Sequence, residues 1–359
     1  MLCAVLVAAL GLAALRLSNL LVEPARTAQV VASLPVWHLA SGTESIVQQA
    51  QGLSGASPQA YEIGAEGEIV PRFQPPGVSL QQELDSLRDA GVPIIPSITN
   101  TSDGSWSTER IQRILHDPVL LQQHIDAVVA FVRAEDFAGV DIDIEELEAE
   151  DREAFSSYIA QLADALHADD RILAVDVFAK DSDAGYDERN RAQDYAALGR
   201  SVDQLRIMAY DYHWSTSTAG PIAPLDWVRS VLQYAVSQVP PEKIVLGLPT
   251  YGYSWADGGQ EGKLSSWLQA YGASKEFDAP VQWDSSSQSP WLTYTDAQGA
   301  QQVVWFENSY SLKAKMDLAR SYDVGGVFIW LVGDVDDGIW AVVEDYRGST
   351  QGGQGGGTS

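Results

Sequence analysis

The sequence predicts an α/β protein built on a (β/α)8 TIM barrel, with a small β-rich insertion between the seventh and eighth strands. Two observations indicate this fold. From residue 29 to residue 347, short apolar segments rich in β-branched residues alternate with segments of helical periodicity, which is the pattern of parallel strands joined by helices. The length of 359 residues leaves room for eight such units and one insertion.

The predicted strands are apolar runs bounded by turn residues. They are 29–37, 60–63 and 68–73 around a glycine turn, 92–99, 138–145, 172–178, 204–210, 244–249 and 326–331. Helical spacing between these runs predicts helices, which lie at 80–90, 120–133, 153–167, 196–198, 225–236 and 311–321.

The insertion is predicted at 253–307, in a stretch rich in Trp, Ser, Gly and Gln. Its strand-like runs, 291–294 and 303–305, indicate a small β-rich flap over the mouth of the barrel. Residues 29–347 then form the barrel domain, and residues 348–359 form a flexible Gly/Ser-rich tail.

Residues 1–28 predict an N-terminal export signal or membrane anchor with a short linker. The apolar run 2–15 has the length of a signal-peptide core and is short for a membrane span. The single cysteine of the chain, Cys3, lies in this run, so an intramolecular disulfide is impossible and thiol catalysis is not expected. We therefore expect an extracellular or cell-envelope location, with the N-terminus as an export signal or a membrane anchor.

The chain is strongly acidic, with 49 Asp and Glu against 22 Lys and Arg and a formal charge of −27. This balance disfavours nucleic acids and anionic membrane surfaces as charge-driven partners. It suits a neutral or positively charged partner such as a glycan. The sequence has no Cys/His spacing typical of a metal site, and neither a metal nor a cofactor is predicted.

Three carboxylates alternate at the end of the fourth predicted strand: Asp141, Asp143 and Glu145, which we name the acid ladder. Alternate residues of a strand point to one face, so these side chains are expected about 7 Å apart on the same side. Like charges this close raise at least one pKa, which provides the protonated carboxyl that a general acid requires. A buried polar network or a solvated acidic edge is the alternative, but three such acids ending a barrel strand favour a functional site.

Other strand ends carry further candidate residues. Tyr210 and Asp211 end the sixth strand, where a phenol can donate to a substrate carbonyl, and Trp214 follows them as a candidate substrate contact. Trp330 in the eighth strand could stack beneath a sugar, and Asn100 after the third strand could make a polar contact with substrate. Core packing explains Tyr210 or Trp330 equally well when each is taken alone.

The acid ladder, the motif Met208-x-Tyr210-Asp211 and Trp330 together resemble family 18 glycoside hydrolases. Later segments resemble the spore cortex-lytic branch of that family, which acts on peptidoglycan; they are 208–227, 244–255 and 282–340, the last with Val-Trp-Phe-Glu at 304–307. The resemblance covers nearly everything after residue 29. It implies a polysaccharide partner with N-acetylated sugars, and we expect the chain to act as a monomer.

The chain departs from the family pattern in three respects. Ala138 stands where the family usually has an Asp, which puts efficiency in doubt more than activity. Asp141 stands where the cortex-lytic branch often has Asn, so the chain is nearer the chitinase form there. No LysM cell-wall module is visible, so wall targeting has to come from the anchor, a partner or the catalytic groove.

The resemblance implies substrate-assisted catalysis with retention of configuration. In that scheme Glu145 protonates the glycosidic oxygen and later acts as base on water, while the 2-acetamido oxygen of the substrate attacks the anomeric carbon. Asp143 orients the acetamide N–H, and Asp141 shares a proton with Asp143. Tyr210 holds the acetamide oxygen and Trp330 stacks under the sugar.

The sequence therefore predicts a glycosidase that cleaves N-acetylglucosamine-containing cell-wall glycan, with peptidoglycan favoured over chitin. A chitinase acting on chito-oligosaccharides and a glycan-binding lectin on an inactive scaffold are the alternatives. Lectins of the family typically lose the catalytic acid, whereas Glu145 is present. Ala138 keeps the lectin alternative open.

Overall fold

The computed structural model describes residues 27–256, 261–330 and 332–349. The predicted leader and tail lie almost entirely outside these ranges and stay predictions. Within the described ranges, none of the helices is both long enough and apolar enough to cross a lipid bilayer.

The strands are numbered in chain order: β1 (Gln29–Pro35), β2 (Gly55–Gln59), β3 (Tyr61–Ile63), β4 (Ile69–Pro71), β5 (Ser97–Thr99), β6 (Thr101–Ser102), β7 (Ser105–Trp106), β8 (Gly139–Asp143), β9 (Ile172–Phe178), β10 (Gln204–Met208), β11 (Ile244–Pro249), β12 (Tyr251–Ala256), β13 (Gly262–Ser266), β14 (Gln282–Asp284), β15 (Ser289–Thr295), β16 (Gln301–Trp305) and β17 (Gly326–Trp330). The helices are α1 (Leu39–Gln48), α2 (Leu80–Asp89), α3 (Thr108–Leu115), α4 (Pro118–Ala134), α5 (Arg152–His167), α6 (Glu188–Ala192), α7 (Tyr195–Ser201), α8 (Leu225–Gln238), α9 (Trp267–Glu276), α10 (Ser309–Ser321) and α11 (Gly338–Ser349).

Parallel strands form a closed barrel. Their hydrogen-bonded order is β2, β1, β17, β11, β10, β9, β8 and β5. The barrel closes between β2 and the segment before β5, where Ala56 pairs with Ile94. The N–H of Ala56 donates to Pro93 O at 2.9 Å, and the N–H of Ile95 donates to Ala56 O at 2.9 Å. The predicted TIM barrel is therefore confirmed.

The second barrel strand is not the predicted one. It is β2, Gly55–Gln59, rather than 60–63. Its sequence, Gly-Ala-Ser-Pro-Gln, has no β-branched residue, so strand propensity does not reveal it. All of β2 is nevertheless buried, and pairing with β1 holds it in place. The predicted pair 60–63 and 68–73 forms the hairpin of β3 and β4, which continues the sheet beyond β5.

The insertion between β11 and β17 is a five-stranded antiparallel sheet in the order β13, β12, β16, β15, β14. Its small core includes Leu292, Val304 and Phe306, packed together with a residue of α9. The sheet begins at Tyr251 and ends at Trp305, close to the predicted bounds. The predicted β-rich insertion is confirmed.

A fully buried ion pair stands where the chain leaves the insertion. Glu307 Oε2 lies 2.7 Å from Lys315 Nζ, and neither side chain is exposed. The N–H of Glu307 donates to Tyr251 O at 3.1 Å. Because Lys315 belongs to α10, the pair ties the insertion to the helical layer of the barrel. The Val-Trp-Phe-Glu sequence at 304–307 is thus accounted for by packing and this ion pair.

Local sequence determines where the helices begin. Before α4, the Asp117 carboxylate accepts hydrogen bonds from the N–H groups of Val119 at 2.8 Å and Leu120 at 3.2 Å. Pro118 occupies the first position of the helix, where its missing N–H costs nothing. The apolar face of α4 then packs on the barrel and leads the chain into β8.

The interior of the barrel has an apolar half and a polar half. Val31, Val245 and Phe328 pack together on the inner side of β1, β11 and β17. The strands from β2 round to β10 instead carry buried polar side chains, namely Ser57, Ser97, Asp141, Asp143, Asp176 and Arg206. The polar half lies under the part of the barrel mouth where β8 ends.

Candidate active site

The acid ladder is divided between a strand and the loop after it. Asp141 and Asp143 lie in β8 and are 1% and 3% exposed. The strand ends at Asp143, so Glu145 stands in the following loop, and the prediction of a strand to residue 145 is wrong. The Glu145 side chain is partly exposed and lines a cleft of about 510 Å³ at the barrel mouth.

Asn100 holds the loop that carries Glu145. Its Oδ1 accepts from the N–H of Glu145 at 3.0 Å, and its Nδ2 donates to Glu145 O at 2.8 Å and to Ser107 O at 3.2 Å. Asn100 was predicted to contact substrate, but its side chain is fully buried. The structure places it behind the cleft, where it orients the backbone of Glu145.

Asp143 is the central titratable group of the site. Its Oδ2 accepts from Gln59 Nε2 at 3.0 Å, and Gln59 Oε1 accepts from Arg72 Nη1 at 3.1 Å. Burial, followed by the charge of Asp141, raises the pKa of Asp143 to about 7, while Gln59 and Arg72 oppose the rise. This carboxyl therefore exchanges a proton near neutral pH.

Asp141 lies deeper and is tightly held. Its Oδ2 accepts from Ser97 Oγ at 2.5 Å and lies 3.0 Å from Arg206 Nη1. Ser97 is its register partner in β5, so strand pairing brings these groups together. Asp141 is thus the most deeply buried member of the acid ladder, and two side chains contact its Oδ2.

Glu145 combines access to the cleft with a perturbed pKa. Burial raises the pKa of Glu145 well above its ordinary value, the charge of Asp143 raises it further, and the Arg189 guanidinium opposes both. Arg189 itself is paired with Glu146 at 2.9 Å and Asp187 at 2.7 Å. A carboxyl that keeps its proton near neutral pH and opens into a cleft can act as a general acid.

Tyr210 and Trp330 are brought together beside the acid ladder. Their rings are stacked, with centroids 6.5 Å apart and planes 13° apart, and the edge of Tyr210 meets Phe328 at 6.2 Å. Burial and then the charges of Asp176 and Asp143 raise the pKa of Tyr210 well above its ordinary value. The phenol therefore stays a hydrogen-bond donor across the physiological range.

Asp211 joins the insertion to the barrel mouth. It adopts a left-handed conformation with φ of 57°, and its Oδ1 accepts from Tyr251 Oη at 2.6 Å. Loss of hydration inside the cleft raises the pKa of Asp211 to about 6, and hydrogen bonds from Tyr251 and Tyr253 limit the rise. Asp211 lines the same cleft as Glu145.

Aromatic side chains form one wall of the cleft. Tyr186, Tyr212, Trp214 and Trp227 line it together with Glu145. Trp227 Nε1 donates to Tyr186 Oη at 2.9 Å, and the Tyr212 and Trp227 rings lie 5.2 Å apart. Trp214 is 45% exposed, as expected of a side chain that meets a ligand from solvent. Such a wall offers flat apolar faces with polar edges.

Four polar residues around the acid ladder were not predicted from the sequence: Gln59, Arg72, Asp176 and Arg206. Asp176 and Arg206 are ionisable residues inside the apolar runs 172–178 and 204–210, and that contrast was a usable signal. Gln59 and Arg72 lie at the ends of short strands without a clear pattern. Across the residues that the structure describes, no group of His, Cys, Asp or Glu side chains could hold a metal ion.

The profile of glycosyl hydrolases family 18 matches residues 62–334, which include the whole acid ladder, Tyr210 and Trp330. The chain belongs to this family. As a family 18 glycosidase it has the fold, and the acids at the end of the fourth barrel strand, that its sequence predicted.

Several relatives of this family 18 glycosidase are informative. A chitinase from Chromobacterium violaceum superposes with a TM-score of 0.83 at 28% identity, covering 89% of this chain and 98% of that one. The spore cortex-lytic enzyme SleL of Bacillus cereus gives 0.82 at 25% identity, covering 89% and 74%. YdhD of Bacillus subtilis, named as a sporulation-specific glycosylase, is 32% identical over 278 residues, 75% of this chain and 63% of YdhD. The chain thus spans less than two thirds of the length of YdhD.

Proposed function

We propose that this family 18 glycosidase cleaves N-acetylglucosamine-containing cell-wall glycan, with peptidoglycan as its substrate, by substrate-assisted catalysis with retention. One observation carries the proposal: the pKa of buried Asp143 is raised to about 7, and its charge helps to raise that of Glu145, which opens into the cleft. Two interacting carboxyls, one fully buried and one partly exposed at the cleft, suit an orienting group and a proton donor.

In the first step the substrate supplies its own nucleophile. Glu145 gives its proton to the glycosidic oxygen as the bond to the anomeric carbon breaks, and the acetamido oxygen of the same sugar bonds to that carbon. The product is a cyclic oxazolinium ion, and the positive charge that develops on it is stabilised by Asp143, which accepts a hydrogen bond from the acetamide N–H. No carboxylate of the protein forms a bond to the sugar.

Tyr210 and Trp330 support this step. The Tyr210 hydroxyl donates to the acetamide oxygen and aims it at the anomeric carbon, which requires that the phenol keep its proton; the raised pKa of Tyr210 meets that requirement. Trp330 provides the floor beneath the sugar, and its stacking on Tyr210 holds both rings in a fixed relation. Such positioning lowers the activation barrier, because the reacting groups are already oriented before the bond breaks.

In the second step water completes the hydrolysis. The Glu145 carboxylate takes a proton from a water molecule, whose oxygen attacks the anomeric carbon from the side that the leaving group vacated. The bond to the acetamido oxygen breaks and the acetamide is restored. Two inversions at one carbon give net retention, and Glu145 regains its proton for the next cycle.

The choice of peptidoglycan rests on the names of relatives. SleL is a spore cortex-lytic enzyme, and YdhD is named for sporulation. Chitin is the second candidate, favoured by the Chromobacterium violaceum chitinase and by an Asp at position 141. We also propose export to the cell envelope, where a peptidoglycan substrate lies. A lectin role is disfavoured by the presence of Glu145 in the cleft.

The test is digestion of both glycans by the purified full-length protein, with Glu145→Gln as the control. Mass spectrometry of the products identifies the cut bond. We expect fragments ending in N-acetylglucosamine, more from peptidoglycan than from chito-oligosaccharides, and none from the control. Faster release from chito-oligosaccharides would replace peptidoglycan by chitin, and binding without any product would establish the lectin role.

A further inference from the structure

A buried arginine lies beneath the acid ladder. Arg206 of β10 is 1% exposed, and its Nη1 lies 2.6 Å from Ser57 Oγ and 3.0 Å from Asp141 Oδ2. Its Nε and Nη2 donate to Gln204 Oε1 at 3.0 and 2.9 Å. A guanidinium keeps its charge and can only donate hydrogen bonds. These contacts therefore fix a permanent positive charge next to Asp141.

A third buried carboxyl adjoins this cation. Asp176 of β9 is the register partner of Arg206 and is 9% exposed. It lies close enough to Asp141 for the two carboxyls to share a hydrogen bond. Burial, then the charges of Asp141 and Asp143, raises the pKa of Asp176 well above its ordinary value, while Arg206 opposes the rise. Burial and the adjoining acids therefore favour the protonated, neutral form of Asp176.

The cluster contains more carboxyls than cations. Asp141, Asp143 and Asp176 each have an Oδ1 that is buried and receives no hydrogen bond from the described residues. A buried anion with an unpartnered oxygen is costly, so protons have to make up the difference. Ser97 and Arg206 both contact Asp141 Oδ2. Negative charge is therefore better stabilised on Asp141 than on the other two carboxyls. The protons are then expected on Asp143 and Asp176.

We propose that Arg206 and Asp176 are positioning residues for the glycosidase. Arg206 fixes the negative charge on Asp141, and neutral Asp176 donates a hydrogen bond to the same carboxylate, so that the proton shared along the acid ladder stays on Asp143 until substrate binds. It then passes to Oδ1 of Asp141, which receives no hydrogen bond from the described residues. This inference rests on the proposed function, because it concerns the state in which Asp143 meets the acetamide.

The first test compares Arg206→Met with Arg206→Lys in the pH profile of kcat/KM on a chito-oligosaccharide. The titratable and charged groups that face the pair are Asp141, Asp143, Glu145, Tyr210 and, through Gln59, Arg72. Losing a cation raises the pKa values of neighbouring carboxyls. In the Met variant, both the acidic and the basic limb of the kcat/KM profile should therefore shift to higher pH by about one unit or more. Lys keeps the charge and should leave the limbs in place even if kcat falls. Equal profiles for the two variants would overturn the role of Arg206.

The second test compares Asp176→Asn with Asp176→Ala, and it decides the matter if Arg206→Met does not fold. Asn keeps a donor without a proton to lose, so its kcat should stay within a few-fold of wild type with unchanged limbs. Ala removes the donor and should lower kcat about 10- to 100-fold with little change in KM. If Asn is as damaging as Ala, or moves the limbs to lower pH, Asp176 acts as an anion and the inference is wrong.

A readout without turnover separates this inference from the proposed function. Carboxyl 13C NMR of the full-length protein labelled at aspartate should show a buried carboxyl still protonated at pH 7 that disappears in Asp176→Asn. A protein that cleaves no glycan but shows this signal would refute the proposed function and keep the protonation pattern. Absence of the signal in an active enzyme would refute the pattern alone.

Discussion

Two buried carboxylate sites of this protein contain the same kind of contact and differ in their balance of charge. At the exit of the insertion, Glu307 lies 2.7 Å from Lys315, one anion against one cation. Beneath the barrel mouth, Asp141 lies 3.0 Å from Arg206, but Asp176 adjoins the same cation and Asp143 adds a third buried carboxyl. Burial raises the pKa of Glu307 as well, but the charge of its own cation, Lys315, opposes the rise. The second site has more carboxyls than cations, so protons have to make up the difference.

The difference teaches how to distinguish a structural from a catalytic buried acid. A pair with matched charges joins two elements, here the insertion and α10, and its cation limits the rise in pKa that burial causes. In an unbalanced cluster the charges of neighbouring carboxyls add to the effect of burial, as the pKa of about 7 for Asp143 indicates, so protons become available near neutral pH. Glu145 connects that cluster to the cleft, whereas the side chain of Glu307 is fully buried.

The largest expected effect follows from removing the proposed proton donor. Glu145→Gln keeps the size and the backbone contacts with Asn100 but cannot give up a proton. Turnover should fall by about 10²-fold or more, the scale of general acid catalysis, while the thermal midpoint stays the same. Initial rates and differential scanning calorimetry on the same preparation check both. Substantial residual turnover would remove Glu145 from the role of acid.

The balanced pair should respond in the opposite way. Lys315→Met leaves Glu307 buried without its cation and should cost about 3–5 kcal/mol of unfolding free energy. The kcat of the folded protein should hardly change, because the pair lies outside the cleft. Urea denaturation and initial rates measure the two quantities. The double variant Glu307→Leu/Lys315→Met is the matched control and should recover much of the stability; an activity loss without a stability loss would contradict the comparison.

A smaller effect is expected at Trp330, the proposed floor of the sugar site. Trp330→Ala in the Glu145→Gln background should weaken binding of an N-acetylglucosamine oligomer up to about tenfold, since aromatic stacking contributes about 0.5–1.5 kcal/mol. Isothermal titration calorimetry gives the affinity. Trp283→Ala, an exposed tryptophan of the insertion, is the matched control and should leave it unchanged. Equal affinities for both variants would place the sugar elsewhere.

The smallest effect concerns stability and pH. The pKa of Asp143 is raised in the folded protein to about 7 from an ordinary value of 3.8, so between these values the folded state binds more protons than the unfolded state. Its contribution to stability is therefore present at low pH and is lost as the pH rises towards 7. Between pH 5 and pH 8 the unfolding free energy of the wild type should therefore fall more than that of Asp143→Asn. An identical difference in wild type and variant would show that Asp143 is ionised throughout.

Sequence periodicity was sufficient for the barrel and its insertion. Apolar runs such as 172–178 and 244–249 alternate with amphipathic helices, and strand ends mark where reactive side chains gather. The strand β2 was missed because its Gly, Ala, Ser and Pro residues have little strand propensity, and its formation depends on burial and on pairing with β1.

The site was predicted in part, for a related reason. Asp141 and Asp143 are neighbours in one strand, so their relation follows from the period of a strand. Glu145 departs from that period because the strand ends first. Arg206 and Asp176 meet Asp141 only through the register of three adjacent strands. Asn100 contacts the backbone of Glu145 across 45 residues of sequence. Contacts of this kind depend on tertiary pairing, which one sequence does not display.

The central claim is tested most directly by asking whether cleavage requires the acetamido group and which anomer it releases. Wild-type protein is mixed with an N-acetylated chito-oligosaccharide and with its fully de-N-acetylated counterpart, and proton NMR follows the anomeric configuration of the first product. The account predicts a β-anomeric product from the acetylated oligomer and no cleavage of the other. An α-anomeric product, or equal cleavage of both oligomers, would contradict substrate-assisted catalysis by the acid ladder.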